Sequence, residues 1–154
     1  MSAKAELDPD LLRILDHALA RLVPSDELGP GAREAGALHY VVSTLREHEP
    51  ALRATYADGL ARLDTLARAI HGSAFTDLDA AAQDRALKEL ESEPVTLDAG
   101  STAFFDILLR HAREGMFCDP RWGGNVERCG WRLLGYDGPR AVWTAEAQAV
   151  EAAP

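Results

Sequence analysis

The run Gly115-Met-Phe-Cys-Asp-Pro-Arg-Trp-Gly-Gly-Asn-Val-Glu-Arg-Cys-Gly-Trp-Arg-Leu-Leu-Gly-Tyr-Asp-Gly-Pro139 constrains this chain more than any other part, because its glycines, prolines and aromatics follow an order that no long helix tolerates. Glycines at 123, 124, 130, 135 and 138 open backbone conformations with positive φ, while Pro120 and Pro139 fix φ and remove N–H donors. The order predicts a shaped, non-helical surface over 115–143 rather than a linker.

The chain before it reads as helices. Asp8 is placed to cap and Pro9 to open a first helix through about Leu22, with Leu11, Leu15, Ala18 and Leu22 on one face. The turn-rich stretch Pro24-Ser-Asp-Glu-Leu-Gly-Pro-Gly31 follows, and a second helix is predicted from Ala32 to about His48, with Ala37, Leu38, Val41 and Leu45 inward. From Pro50 to Ile70 the residues Leu52, Tyr56, Leu60, Leu63, Ala67 and Ile70 recur at steps of four and three before Gly72. Thr76 and Asp79 resemble a capping box for a helix through Leu90. A last helix is predicted from near Asp98 or Ser101, carrying Phe104, Phe105, Ile107, Leu108 and His111, with Gly115 as its stop. Residues 144–154, rich in Ala and Glu, show no anchoring pattern and are predicted to fray. The expected architecture is a single all-α domain over 1–154: a bundle of about five helices at 8–114 with an irregular Gly/Pro/Trp-rich C-terminal segment.

A chain of 154 residues buries roughly two-thirds of its unfolded surface, enough for one core without staples. Its formal net charge of −9 disfavours nucleic acid and anionic membranes and suits a neutral or basic protein partner. No stretch approaches the length of a membrane span. The start, Met1-Ser-Ala-Lys-Ala-Glu-Leu-Asp-Pro9, lacks the features of an export leader, so the expectation is a cytoplasmic chain, or a periplasmic one if a leader is missing or a partner directs export. Cys118 and Cys129 fit no metal or haem motif; two small buried hydrophobes or a single disulfide closing the segment both remain open.

No catalytic constellation stands out. Histidines 17, 39, 48, 71 and 111 share no metal-ligand spacing, and Trp122-Gly-Gly-Asn125 has neither the preceding strand nor the following Lys-Ser/Thr of a phosphate loop. Asp16, His17 and Asp106 read as solvated or structural groups, and no catalytic, cofactor or metal residue is assigned. Trp122, Trp131, Tyr136 and Trp143 concentrate the large aromatics in the irregular segment, interleaved with Arg121, Arg128, Arg132 and Arg140. Such a cluster either pins the segment to the bundle or anchors a partner, since Trp, Tyr and Arg dominate interface hot spots.

Phe117-Cys-Asp-Pro-Arg-Trp-Gly-Gly-Asn125, followed by Gly130-Trp-Arg-Leu-Leu-Gly-Tyr136, resembles the closing signature of the gluconate 2-dehydrogenase subunit 3 family. Val23-Pro-Ser-Asp-Glu-Leu-Gly-Pro-Gly-Ala-Arg-Glu-Ala35 resembles that family's early turn. The resemblance implies a non-catalytic small subunit that binds, stabilises or matures a flavin-dependent catalytic subunit of the glucose-methanol-choline type, acting on sugars, sugar acids or polyols. FAD is then expected on the partner, none on this chain, with electrons passing to a cytochrome c subunit. Such small subunits often carry a twin-arginine signal; this sequence shows none, so the expectation is either that export is in doubt and the chain serves a cytoplasmic oxidoreductase, or that another subunit directs export. Pro120, Arg121, Trp122, Gly123, Gly124, Asn125, Arg128, Trp131 and Tyr136 are the expected partner-binding residues, with Gly130 part of the same signature. Two other functions stay open: a homo-oligomeric helical adaptor, and a small stand-alone enzyme using His111 with Cys118 or Asp106.

Overall fold

The computed structural model describes residues 7–93 and 103–139. Within them the chain runs through six α-helices and four short 3-10 turns, and the only β pairing is an isolated bridge between Asp26 and Gly29. Helix α1 (Pro9–Leu22) begins where its sequence directs: the Asp8 carboxylate accepts from the Asp10 N–H at 2.8 Å, and proline takes a position that needs no donor. Its buried stripe is Ile14, Leu15, Ala18 and Leu19, so Leu11 and Leu22 sit half-buried at the stripe's edges.

Helix α2 (Ala37–Glu47) starts at Ala37 rather than Ala32, because the preceding turn ends in Gly36 at φ 72°, a left-handed conformation that a helix cannot contain. Helix α3 (Arg53–His71) follows a 3-10 turn at Pro50–Leu52 and buries Tyr56, Leu60, Leu63 and Ala67, whereas Ile70 is exposed. Helix α4 (Ala80–Ser92) is capped by Asp79, which accepts from the Ala82 N–H, and not by Thr76, which lies in a 3-10 turn that buries Phe75. The cap moves because Phe75 is drawn into the core.

Helix α5 (Phe104–Phe117) runs through Gly115 instead of stopping there. Gly115 lets α2 approach closely: a Cβ on it would stand 2.8 Å from the Cβ of Ala37. Close packing outweighs the residue's tendency to end helices, and the irregular segment therefore begins at Cys118. That segment is also not free of helix, since α6 (Cys129–Leu133) forms within it. The expected start of α5 near Asp98 or Ser101, and Arg140, Trp143 and the tail at 144–154, lie outside the described residues.

Helix α2 lies along α5 and α3 along α4, with α1 touching all four. Leu15, Leu19, Leu60, Leu63 and Leu108 fill the centre, each fully or almost fully buried and each worth about 1.5–3 kcal/mol of transfer free energy. Among the described residues no helix is long and apolar enough to cross a membrane.

One polar chain crosses this core. The Tyr56 hydroxyl donates to Nδ1 of His111 at 2.7 Å, which leaves the proton on Nε2, 3.2 Å from the Glu49 carboxylate. Arg110 holds that carboxylate at 2.8 Å. Burial, then the nearby Arg110 charge, hold the pKa of His111 below its ordinary value, so its contact with Glu49 is a hydrogen bond of a neutral imidazole rather than an ion pair.

The unfolded chain protonates at the ordinary histidine value of 6.5, above the folded one. Stability from neutral His111 is therefore complete above that pH and is lost as pH falls below it. Glu49, held low by its bond from Arg110, adds a further loss in the carboxylate range. Urea midpoints should drop between about pH 6.5 and 5, and His111→Gln should flatten that drop while lowering stability at pH 8. An unchanged pH slope in the variant would assign the effect elsewhere.

Candidate functional site

The segment after α5 is organised around one amide. Asn125 is fully buried at φ 46°, ψ 45°, a left-handed conformation that asparagine adopts more readily than most residues. Its Nδ2 donates to the Cys118 carbonyl at 2.7 Å and its Oδ1 accepts from the Gly130 N–H at 2.8 Å. Its own N–H donates to the Gly115 carbonyl at 2.7 Å, and its carbonyl accepts from the Arg128 N–H at 2.8 Å. One residue thus ties the last turn of α5 to the first turn of α6.

The neighbouring glycines answer to space. A Cβ at 124 would lie 2.4 Å from the Gly115 oxygen, and one at 130 would lie 2.1 Å from the Met116 oxygen. Trp131 closes the arrangement: its indole N–H donates to the Phe117 carbonyl at 2.7 Å, the residue is 7% exposed, and Tyr136 packs edge-on at 5.1 Å.

The early turn joins the same surface. Val126 donates its N–H to the Ala35 carbonyl at 3.1 Å, and Ala35, Met116 and Cys129 form a small buried cluster with Val23 against it. The turn is itself braced: Ser25 donates to Glu34 at 2.6 Å, and the Gly31 N–H reaches the same carboxylate at 3.0 Å. Asp26 accepts from the Leu28 N–H at 2.8 Å, which presents the Leu28 side chain at the tip. Both cysteines are free; Cys129 is buried as a small hydrophobe, while burial raises the pKa of the half-buried Cys118 thiol.

The residues that the sequence singles out divide by depth. Pro120 opens a 3-10 turn, Pro120–Trp122, capped by Asp119. Arg121 lies over the Trp122 ring at 5.1 Å, and Trp122, 48% exposed, stands edge-on to His48 at 5.5 Å. Gly123 passes against His39. Arg128 is exposed with its guanidinium 6.0 Å from the Trp131 ring centroid, and Tyr136 is also exposed. Gly124, Asn125, Gly130 and Trp131 are buried within the chain and shape the segment from beneath. Leu28, Val126 and Leu133, exposed on the same blocks, carry no sequence signal, because apolar residues in any run are as readily assigned to a core.

Between α2, α5 and the Pro120–Trp122 turn opens a cleft of roughly 590 Å³, walled by Tyr40, His48, Glu49, Arg110, Glu114 and Trp122. Tyr40 donates to Glu114 at 3.0 Å, and burial pushes its pKa up to about 12. Arg110 bonds both Glu49 and Glu114, the latter at the i,i+4 spacing that the sequence already contains. His111 lies behind this wall with both ring nitrogens engaged, and no hydrogen bond joins it to Cys118 among the described residues. Asp106 is exposed; Asp16 pairs with Arg33 at 2.9 Å, and His17 accepts from Gln83 at 3.0 Å. Among the described residues no three His, Cys, Asp or Glu side chains are grouped to hold a metal ion.

A family model described as Gluconate 2-dehydrogenase subunit 3 matches residues 9–138, a span that includes both the early turn and the Asn125 segment. No curated protein and no solved structure matches the chain.

Asn125→Ala would strand the Gly130 N–H and the Cys118 carbonyl and would place an alanine in the left-handed region, so a loss of about 2–4 kcal/mol is expected in urea denaturation. Asn125→Asp keeps the acceptor but turns a buried carboxylate oxygen toward the Cys118 carbonyl, so it should cost at least as much at neutral pH and recover as the carboxyl is protonated at lower pH. A wild-type midpoint for the alanine variant would remove the amide from the forces that hold the segment.

Proposed function

The chain belongs to the gluconate 2-dehydrogenase subunit 3 family, and from that premise we propose that it is the non-catalytic small subunit that binds, stabilises or matures a flavin-dependent catalytic subunit of the glucose-methanol-choline type. The substrate class is a sugar, sugar acid or polyol. FAD and the reacting groups reside on the partner chain, and a cytochrome c subunit receives the electrons. The family match over residues 9–138 carries this proposal, because it spans the bundle and both loop blocks rather than a single motif. The braced geometry supports it: a surface already held by buried hydrogen bonds loses little further freedom on docking.

Co-expression with the catalytic subunit of the same organism, followed by purification through a tag on this chain, should yield a 1:1 complex with flavin absorbance near about 450 nm. Light scattering gives the stoichiometry. Colourless material purifying alone beside a soluble flavoprotein would overturn the proposal, and self-association of that material would favour the helical adaptor.

A further inference from the structure

Among the described residues, every large apolar side chain left exposed, apart from Ile70, belongs to the early turn or to α5's last residue and the segment after it. Leu28 at 82%, Val126 at 45% and Leu133 at 42% all border the early turn, an arrangement made by the fold and not by the sequence. A Cβ on Gly29 would stand 3.0 Å from Leu133 Cδ1, and one on Gly36 would stand 2.9 Å from Val126 Cγ2, so both side chains lie across the early turn. Exposed apolar groups gathered in this way mark contact surfaces.

The backbone beneath them is strained. Asn125, Glu127 and Arg128 are the only non-glycine residues with positive φ among those described. Asn125 is compensated by its buried bonds, but Glu127 and Arg128 are exposed, and each left-handed residue costs about 1–2 kcal/mol. Strain of this kind is held where a surface must take one shape.

Arg53, Arg85 and Arg113 have no carboxylate partner among the described residues, and the same holds for two arginines at the edge of this surface. Arg21, Arg33, Arg62, Arg68 and Arg110 each pair with a carboxylate. Arg128 and Arg132 have no carboxylate partner among the described residues: one lies over Trp131 and the other donates to the Glu127 carbonyl. Two unneutralised guanidinium groups beside exposed leucines, on a chain of net charge −9, call for carboxylates from outside. A second copy of this chain would bring one net charge of −9 against another.

We propose that Leu28, Val126 and Leu133 form the centre of the face that docks the catalytic subunit, and that Arg128 and Arg132 at its rim pair with carboxylates bordering an apolar patch on that partner. This inference rests on the assignment of the chain as an accessory subunit.

The test is the affinity of the full chain for the purified catalytic subunit by interferometry. Leu28→Asp and Leu133→Asp should each weaken binding at least tenfold, Ile70→Asp should leave it unchanged, and the double variant R128E/R132E should weaken it and flatten its salt dependence. Leu28 projects into solvent, so L28D retains the fold; circular dichroism checks all variants. Wild-type binding that L28D, L133D and R128E/R132E all leave intact would overturn this face while preserving the subunit assignment. Absence of binding by the wild-type chain would overturn both. Loss of a homodimer in L28D, without a heterodimer, would replace the partner with a second copy and overturn the inference.

Discussion

The hydrogen bonds of Asn125 are the constraint on which the rest of the C-terminal surface depends. A helix leaves its last carbonyls without intrahelical donors, and at the end of α5 the segment supplies them: Gly115 receives the Asn125 N–H, Phe117 the Trp131 indole and Cys118 the Asn125 amide. The irregular run is thus the cap of α5. Only a short side chain with both a donor and an acceptor meets this geometry; aspartate lacks the donor and glutamine is too long to sit between two backbones this close. Because the amide is buried, each bond is unscreened and each missing partner costly.

Helix α5 serves three neighbours at once. Its His111 face reaches Tyr56 on α3 and Glu49 in the loop before it, its Gly115 lets α2 approach, and its final carbonyls hold the segment. The Tyr56–His111–Glu49 chain keeps a neutral imidazole in the core, and Arg110 balances the carboxylates of Glu49 and Glu114 at the cleft wall. Displacing α5 would disturb the core, the cleft and the loop surface together, since the same fourteen residues support all three.

Much of this was legible in the residues. Asp8 and Pro9 announce α1, the four-and-three spacing of Tyr56, Leu60, Leu63 and Ala67 announces α3, and the Gly-Gly-Asn and Gly-Trp pairs announce a built segment. Thr76 against Asp79 and Gly115 as a stop differ from the structure because a contact across the fold overrides a local preference, whereas Ala32 against Ala37 differs for a local reason, the left-handed Gly36. Phe75 is pulled into the core, Gly36 breaks the turn, and Ala37 needs the space that Gly115 leaves.

The sequence by itself determined the all-α class, the family, and which residues build the segment, because caps, period and glycine placement are encoded locally. Only the tertiary structure decided which of those residues face inward. Asn125 and Trp131 are sealed beneath, while Leu28, Val126 and Leu133 share a surface, since side-chain exposure depends on what lies across the fold and no run of neighbours along the chain specifies it.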